Sequence, residues 1–363
     1  MTGWSYYNPV KITAGAGALE QLPRLISSGC WLLVTTAGFT RRGLTEHIQQ
    51  LLSDIEILVH DQVTPNPELD HLEKMTEKYR NAGIQGVIAV GGGSVLDAAK
   101  VLAVTLPSTV EAPLTRSLRQ EQAADWQEKL PLFVVPTTSG TGAEVTPFAT
   151  VWDQRANKKY SVTGDHVIPD QVLLDPELTL SLPEQETLYT GLDAISHALE
   201  SLWNVNRSPI SSGFAIQALE LAQTALPQVL KTPSDLQARR TMQEASVLAG
   251  MAISQTRTAL AHSISYPLTS HYGVPHGLAC SFTLPRLITT YLSEHSQCPE
   301  QALMLRLQKL LEGFHLDGHL AQYASKEQIF EVKDEMYHPD RAGNFICKVD
   351  KAEIDSILYS STQ

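Results

Sequence analysis

Between residues 30 and 136 short apolar runs alternate with stretches whose apolar positions recur every three or four residues. The runs are WLLVTT (31–36), IEILVH (55–60), GVIAV (86–90) and LFVVP (132–136); the first is closed by Ala-Gly, the third by GGGS and the fourth by TTSGTG. Continuous apolar runs predict strands buried on both faces, and LDHLEKMTEKYRNAG between them has a helical period. Together they predict a parallel sheet with helices on both faces, a Rossmann-like α/β arrangement. From about residue 184 the pattern turns helical: EQETLYTGLDAISHALESLW, SSGFAIQALELAQTALPQVL and LQARRTMQEASVLAGMAIS. DPELTLSLP breaks the pattern near Leu178–Pro183, so an α/β domain over 1–180 and an all-α domain over 181–363 are expected.

The chain has 363 residues, of which 43% are hydrophobic, enough for two domains each with a core. It has no apolar run of about 18 residues, so no transmembrane helix is expected. MTGWSYYNPVKI lacks the basic and apolar regions of a signal peptide. Cys30, Cys280, Cys298 and Cys347 lack metal-cluster or disulfide spacing and read as free thiols in a reducing cytoplasm. The net charge of −12 disfavours nucleic acid or an anionic membrane as partner, and an anionic substrate would need a local positive cluster.

Gly91, Gly92, Gly93 and Ser94 follow a predicted strand and open the helix SVLDAAKVLAV, with Ser94 the expected N-cap. Glycine lets a phosphate approach the backbone, and the helix start offers free N–H groups. A second loop after a strand, Thr137-Thr138-Ser139-Gly140-Thr141-Gly142, is rich in hydroxyls and backbone donors. Two such loops at the carboxyl ends of parallel strands are where ligands bind in open α/β sheets. The usual GxGxxG after the first strand is absent.

Asp193 and His197, four residues apart in LDAISHALE, share one face of a predicted helix among Leu192, Ile195, Ala198 and Leu199. His262 lies in an apolar TALAH context, and His276 follows Pro275 at a turn or helix start. Taken alone, each histidine reads as a hydrogen-bonded core or surface residue. Together, one carboxylate and three imidazoles make a divalent-metal site suited to Fe²⁺ or Zn²⁺, between which softness and geometry do not decide.

The stretches GGGSVLDAAK, PTTSGTGAEVTPFATV, LLDPELTLSLP, TGLDAISHALES and AHSISYPL…VPHG, in this order, resemble the iron-containing alcohol dehydrogenases. The similarity runs from about Val10 to at least Pro285. The resemblance implies an N-terminal NAD(P)-binding domain, a helical C-terminal domain and a catalytic metal in a cleft between them. It carries the metal ligands to Asp193, His197, His262 and His276, and the cofactor loops to Gly91–Ser94 and Thr137–Ser139. Lys159 is implied at the nicotinamide ribose, Leu178 and Leu182 on the adenine side, and Asp97 and Thr141 among the cofactor contacts. NAD(P)H is the implied cosubstrate and a homodimer the expected assembly.

Three departures bear on specificity. Tyr266 stands where relatives carry a histidine credited with proton relay; a phenol with an ordinary pKa of about 10 is a poorer shuttle near neutral pH. Thr36 stands where NAD-preferring relatives carry Asp, with Arg41 and Arg42 after it, so NADPH becomes acceptable. The region after residue 285 is shorter than is common in the family, so loops at the far end of the site are expected to be reduced. Arg257, five residues before His262, replaces a small residue of the relatives and is expected to hold an anion, with His271 as a second donor. A structural role for Arg257, paired with a nearby acid, is the competing expectation.

QTRTALAHSISYPL is similar to the branch that reduces phosphonoacetaldehyde to 2-hydroxyethylphosphonate. The expected function is therefore metal-dependent NAD(P)H-linked reduction of a short anionic aldehyde. A general short-chain alcohol or lactaldehyde-type dehydrogenase is the alternative. More distant ones are a dehydroquinate synthase-like lyase and a metal- and nucleotide-binding protein without turnover.

Overall fold

The computed structural model describes residues 3–124, 126, 128–156 and 158–362. Its contacts divide the chain into two compact units. One comprises Asn8–Thr138 and Ala143–Thr179; the other takes in the chain up to Tyr7, Ser139–Gly142 and everything from Leu180 onward. The division is thus not a single cut. Ser139–Gly142 of the TTSGTG loop and the N-terminal segment group with the helices, not with the sheet.

The α/β unit is built on six strands, β1 (Lys11–Ala14), β2 (Cys30–Val34), β3 (Glu56–His60), β4 (Ile84–Gly91), β5 (Leu132–Pro136) and β8 (Gln171–Leu174). They lie in the order β1-β8-β5-β4-β2-β3, and every pairing is parallel. The four apolar runs in the sequence are β2 to β5. Their continuity has a physical cause: Leu32, Leu33, Val87, Ile88, Ala89, Val134 and Val135 are fully covered on both faces of the sheet. The short strands β1 and β8 are not legible in the sequence, because four residues carry too little pattern. The remaining strands, β6 (Phe148–Asp153) and β7 (Lys158–Thr163), form a separate antiparallel hairpin with buried residues at every second position of β6.

Helix α1 (Leu69–Tyr79) is capped by the Glu68 carboxylate, which accepts from the His71 N–H. Helix α2 (Gly93–Thr105) is apolar nearly all round. It is buried at Val95 and Leu96 and without a break from Ala98 to Thr105, as expected of a helix enclosed on all sides. Lys100 is completely buried within it; its ammonium donates to the Thr146 carbonyl, the Thr146 hydroxyl and the Phe148 carbonyl at 2.8, 3.1 and 2.8 Å.

In the helical unit, α3 (Glu184–Leu202), α4 (Pro209–Lys231) and α5 (Leu236–Thr256) pack on one another, followed by α6 (Leu260–Tyr272) and α7 (His276–Ala279). Proline at the first turn and a Ser208–Ser211 capping box start α4, and Asp235 caps α5. The core joins Leu192, Ile195, Leu199 and Trp203 of the α3 region to Leu219 and Leu226 of α4. Small residues allow close approach: a Cβ on Gly142, which has φ +61°, would come within 2.5 Å of the Gly250 Cα. Among the described residues no helix is long and apolar enough to cross a membrane.

Candidate metal centre

Asp193, His197 and Glu200 sit at i, i+4 and i+7 of α3 and so project from one face. All three are buried. Helix α6 brings His262 to that face, and α7 brings His276. Gly277 sets the distance of α7 from α3, because a Cβ there would collide with the Tyr189 carbonyl oxygen.

The four expected ligands converge on one atom. Asp193 Oδ1 lies 3.6 Å from His197 Nε2, 3.6 Å from His262 Nε2 and 3.8 Å from His276 Nε2. In a tetrahedral site with metal–ligand distances of about 2.0–2.2 Å, ligand atoms stand roughly 3.3–3.6 Å apart, so this spacing suits one small divalent ion. The His197 and His262 rings stack at 4.9 Å between centroids, and His276 meets His262 edge-on at 5.1 Å. Three of the side chains are enclosed, at 2–9% exposure, whereas His276 is 36% exposed, so the site is open on the His276 side.

Glu200 is not among the residues to which the sequence points. Its carboxylate accepts from the Ala259 and His262 N–H groups at 2.8 and 3.2 Å and from His262 Nδ1 at 2.7 Å. That last bond assigns a proton to Nδ1 and turns Nε2 toward Asp193. Nε2 is buried and has no hydrogen-bond partner. A buried imidazole nitrogen without a partner, aimed at a carboxylate and two further imidazoles, is what a metal ion would satisfy.

The electrostatics agree. Burial opposes ionisation of Asp193, but the neighbouring imidazoles, His197 foremost, hold its carboxyl well below the usual carboxylate range. Burial likewise lowers the His262 pKa, yet Glu200 and Asp193 outweigh it and push the imidazole up to about 10. Burial drives His197 down. The cluster thus draws positive charge to itself, a proton on His262 or a metal ion in its place.

Cys280 is the other residue the sequence does not single out. It is fully buried, and its thiol donates to Asp193 Oδ1 at 3.4 Å. Burial and the Asp193 charge raise its pKa well above the ordinary value, so it stays a thiol. The ligand atoms of Asp193, His262, His276 and Cys280 all lie within 4.8 Å of one another. The four cysteines are free, as expected.

The three residues expected to decide specificity divide. Tyr266, one turn after His262, is brought to the site: its ring lies nearly parallel to that of His276, 14° apart at 6.5 Å. His271 is not. Nine residues beyond His262 on the same helix, it points to the opposite side, where its side chain is bonded to the exposed Glu335 Oε2 at 2.9 Å. The expectation of a second anion donor at His271 is therefore corrected: its imidazole is engaged by a surface carboxylate. Arg257 is exposed at the C-cap of α5 with φ +63°, and its carbonyl accepts from Asn204 Nδ2. Among the described residues its guanidinium has no carboxylate within ion-pair distance, so the structural pairing with an acid is absent there too.

In the α/β unit the loops after β4 and β5 leave the sheet side by side, with Gly91 paired to Pro136 and the Thr137 N–H donating to the Gly91 carbonyl at 3.0 Å. Gly92, extended at φ −80° and ψ −175°, is the N-cap of α2, so Ser94 is not. Ser94 lies inside the first turn and its hydroxyl accepts from the Asn66 N–H at 3.2 Å. Glycine at 92 leaves a cradle beside Thr138, whose methyl would stand 3.2 Å from a Cβ. Asp97 is half-buried, accepts from the Thr150 N–H at 2.9 Å and feels the charges of Lys100 and Lys159; desolvation raises its pKa. Lys159 on β7 lies over the Trp152 ring. Thr36 follows β2 and stands at the N-cap position of the short helix Ala37–Arg41, and Leu178 packs against the α/β core. Ser139 and Thr141 belong to the helical unit, as does the half-buried Leu182.

A parallel α/β unit with a glycine loop at its strand ends, in one chain with a helical unit that focuses one carboxylate and three imidazoles on a point, defines a class of metal- and nucleotide-dependent oxidoreductases. Comparison narrows the class. The profile of iron-containing alcohol dehydrogenases matches residues 9–176, and that of the C-terminal region of the same family matches residues 187–338. The chain belongs to the iron-containing alcohol dehydrogenase family and is an NAD(P)-dependent alcohol dehydrogenase of that type.

Among curated relatives, the sulfoacetaldehyde reductase of Bilophila wadsworthia is 31% identical over 77% of this chain and 73% of its own. The phosphonoacetaldehyde reductase of Streptomyces viridochromogenes is 35% identical over 75% and 69%. A long-chain-alcohol dehydrogenase of Geobacillus thermodenitrificans is also 35% identical, over 75% and 69%. The crystal structure of the sulfoacetaldehyde reductase from Bifidobacterium kashiwanohense, in complex with NAD⁺, covers 100% of both chains at a TM-score of 0.91 and 27% identity.

Proposed function

We propose that this enzyme reduces a two-carbon aldehyde carrying a terminal anion, with phosphonoacetaldehyde the first candidate and sulfoacetaldehyde the second. The observation that carries the reading is the convergence of His197, His262 and His276 on Asp193 Oδ1 in a site open on the His276 side. An opening beside a single ligand suits a short carbonyl compound. Two of the relatives are named for anionic two-carbon aldehydes. The second candidate rests on the sulfoacetaldehyde reductase fold, which this chain follows along its full length.

We take Asp193, His197, His262 and His276 as the ligands of Fe²⁺, with Zn²⁺ the alternative. A divalent ion held there supplies Lewis acidity to a carbonyl oxygen, and NAD(P)H supplies the hydride. The protein's own contribution is preorganisation. Glu200 holds His262 in the one tautomer that can ligate. The Cys280 thiol donates to Asp193 and fixes which oxygen faces the imidazoles. Tyr266, beside the open edge at His276, carries a hydroxyl that can pass a proton to a nascent alkoxide. The Gly91–Gly92–Gly93 turn and the N-terminal N–H groups of α2 are the proposed seat of the pyrophosphate. The missing carboxylate at Thr36 makes NADPH acceptable beside NADH.

The test is a panel of phosphonoacetaldehyde, sulfoacetaldehyde, lactaldehyde and propanal, with NADH or NADPH and with Fe²⁺ or Zn²⁺ restored. Oxidation of the cofactor is followed by absorbance. The reading requires kcat/KM for an anionic aldehyde to exceed that for propanal by at least about tenfold, roughly 1.4 kcal/mol of transition-state preference. Equal values would return the enzyme to the general short-chain class.

A further inference from the structure

Arg341 lies in the short helix Pro339–Ala342, far from the metal ligands in sequence. Its guanidinium carbon sits 4.3 Å from the centroid of the Tyr266 ring, the same ring that lies parallel to His276. The Tyr266 ring thus neighbours both this cation and a candidate metal ligand at the open edge of the site. The contact with the ring face uses none of the five guanidinium N–H donors. Among the described residues no carboxylate pairs with Arg341, and it is half-buried. Arg239 is bonded to the Pro233 carbonyl and Thr187, Arg240 to Glu244 and Arg306 to Glu220, whereas Arg257 and Arg286, like Arg341, have no carboxylate within ion-pair distance among the described residues. In a chain with a net charge of −12, a half-buried arginine without an acid partner keeps its donor fork available to an anion.

The segment that carries Arg341 is fastened to the metal-site helix. Ser263, the residue after His262, donates its hydroxyl to the Met336 carbonyl at 2.7 Å and accepts from the His338 N–H at 2.9 Å. Asn344 Nδ2 donates to the Thr258 carbonyl at 2.8 Å, and the Asn204–Phe345 bridge ties the same segment to the end of α3. These bonds to the chain around the ligands hold Arg341 in place, so its position is built and not a surface accident.

We propose that Arg341 is the residue that binds the anionic group of the substrate, in the role the sequence suggests for Arg257. This rests on the anionic-aldehyde reading above and names the group that reads the anion. A planar fork of donors, held against the ring that lies beside His276, matches the oxygens of a phosphonate or sulfonate one methylene from the carbonyl carbon.

The experiment measures kcat/KM of the metal-loaded wild type, Arg341→Ala, Arg341→Lys and Arg257→Ala on phosphonoacetaldehyde, sulfoacetaldehyde and propanal. Calorimetric titration with methylphosphonate measures anion binding without turnover. The expected result is an anionic-to-propanal ratio lowered about 100-fold in Arg341→Ala, mostly through KM, as loss of two charge-assisted hydrogen bonds implies. Arg341→Lys should recover part of the ratio, and methylphosphonate binding should weaken in parallel. A high wild-type ratio that survives Arg341→Ala, or that collapses only in Arg257→Ala, overturns the assignment and leaves the substrate reading standing. A wild-type ratio near one overturns the substrate reading itself. If Arg341→Ala fails to fold, Arg341→Lys and the methylphosphonate titration of the wild type against Arg341→Lys decide in the same way.

Discussion

Glu200 Oε2 stands 2.7 Å from His262 Nδ1, and this one bond decides which nitrogen of His262 faces Asp193. Because the same carboxylate also accepts two backbone N–H groups at the start of α6, it sets both the tautomer of this candidate ligand and the position of the helix that carries it. A metal site depends on such supporting bonds as much as on its ligands.

Glu200→Gln should therefore keep the fold but weaken metal binding. The amide can still accept from one donor, yet its charge no longer favours His262 as a ligand with the proton on Nδ1. A loss of roughly 10- to 100-fold in metal affinity is expected, read by titrating the apoprotein with Fe²⁺ or Zn²⁺ in competition with a chelator. Unchanged affinity would remove Glu200 from the site.

His262 and His276 should differ when removed. His262→Ala strips a fully buried carboxylate of its charged partner, and breaking such a pair costs about 3–5 kcal/mol. His276 is 36% exposed, so His276→Ala should abolish metal retention while leaving the stability of the apoprotein nearly intact. Metal analysis with parallel denaturant unfolding distinguishes the two; equal destabilisation by both would contradict the asymmetry of the site.

Gly277→Ala should destabilise the helical unit. The added methyl meets the Tyr189 carbonyl, a backbone atom that cannot swing away. Overpacking of this kind costs about 1–3 kcal/mol, and α7 with His276 would move away from α3. A lower Tm together with a weaker metal affinity is expected in calorimetry and metal titration. Loss of stability with full affinity would show that α7 tolerates the shift.

Glu144 and Lys100 should leave a signature in the pH dependence of stability. Both are buried in the α/β unit. Burial raises Glu144 from 4.5 to about 7 and lowers Lys100 from 10.5 to about 8. Between pH 4.5 and 7 the folded state holds a proton on Glu144 that the unfolded chain has lost, so stability falls as pH rises. Between pH 8 and 10.5 the unfolded chain holds a proton on Lys100 that the folded state has lost, so stability rises with pH. Urea unfolding across this range should show a minimum between pH 7 and 8. Glu144→Gln should flatten the acid limb, and because the Glu144 charge helps hold the proton on Lys100 it should also shift the alkaline limb; an unchanged acid limb would assign it to another group.

The apolar runs at 31–36, 55–60, 86–90 and 132–136 form four neighbouring strands of the sheet, and those inside it are apolar throughout because a strand covered on both faces has no solvated side. The clustering of the candidate quartet is legible for a related reason: charged and imidazole side chains among Leu192, Ile195 and Leu199 have to find partners. Glu200 and Cys280 are harder to read. Glu200 sits at the right helical spacing from Asp193, and that spacing is the one available clue. Cys280 follows His276 by a single turn but carries no motif. His271 shows the converse: closeness in sequence to two ligands does not bring it near them, because nine residues of helix turn it away. The cap expected at Ser94 falls two residues earlier, since Gly92 takes the extended conformation first.

Period and residue type, which are local properties, are enough to determine the parallel sheet, the helical half and the four candidate ligands. Which residues stand behind and beside those ligands is settled only when α3, α6, α7 and the segment around Pro339–Ala342 pack together. Glu200 meets His262 across 62 positions of chain, and Arg341 meets Tyr266 through a contact with no local signal at all. Support and specificity come from such distant encounters, and sequence spacing cannot encode a distance that exists only after the chain has folded.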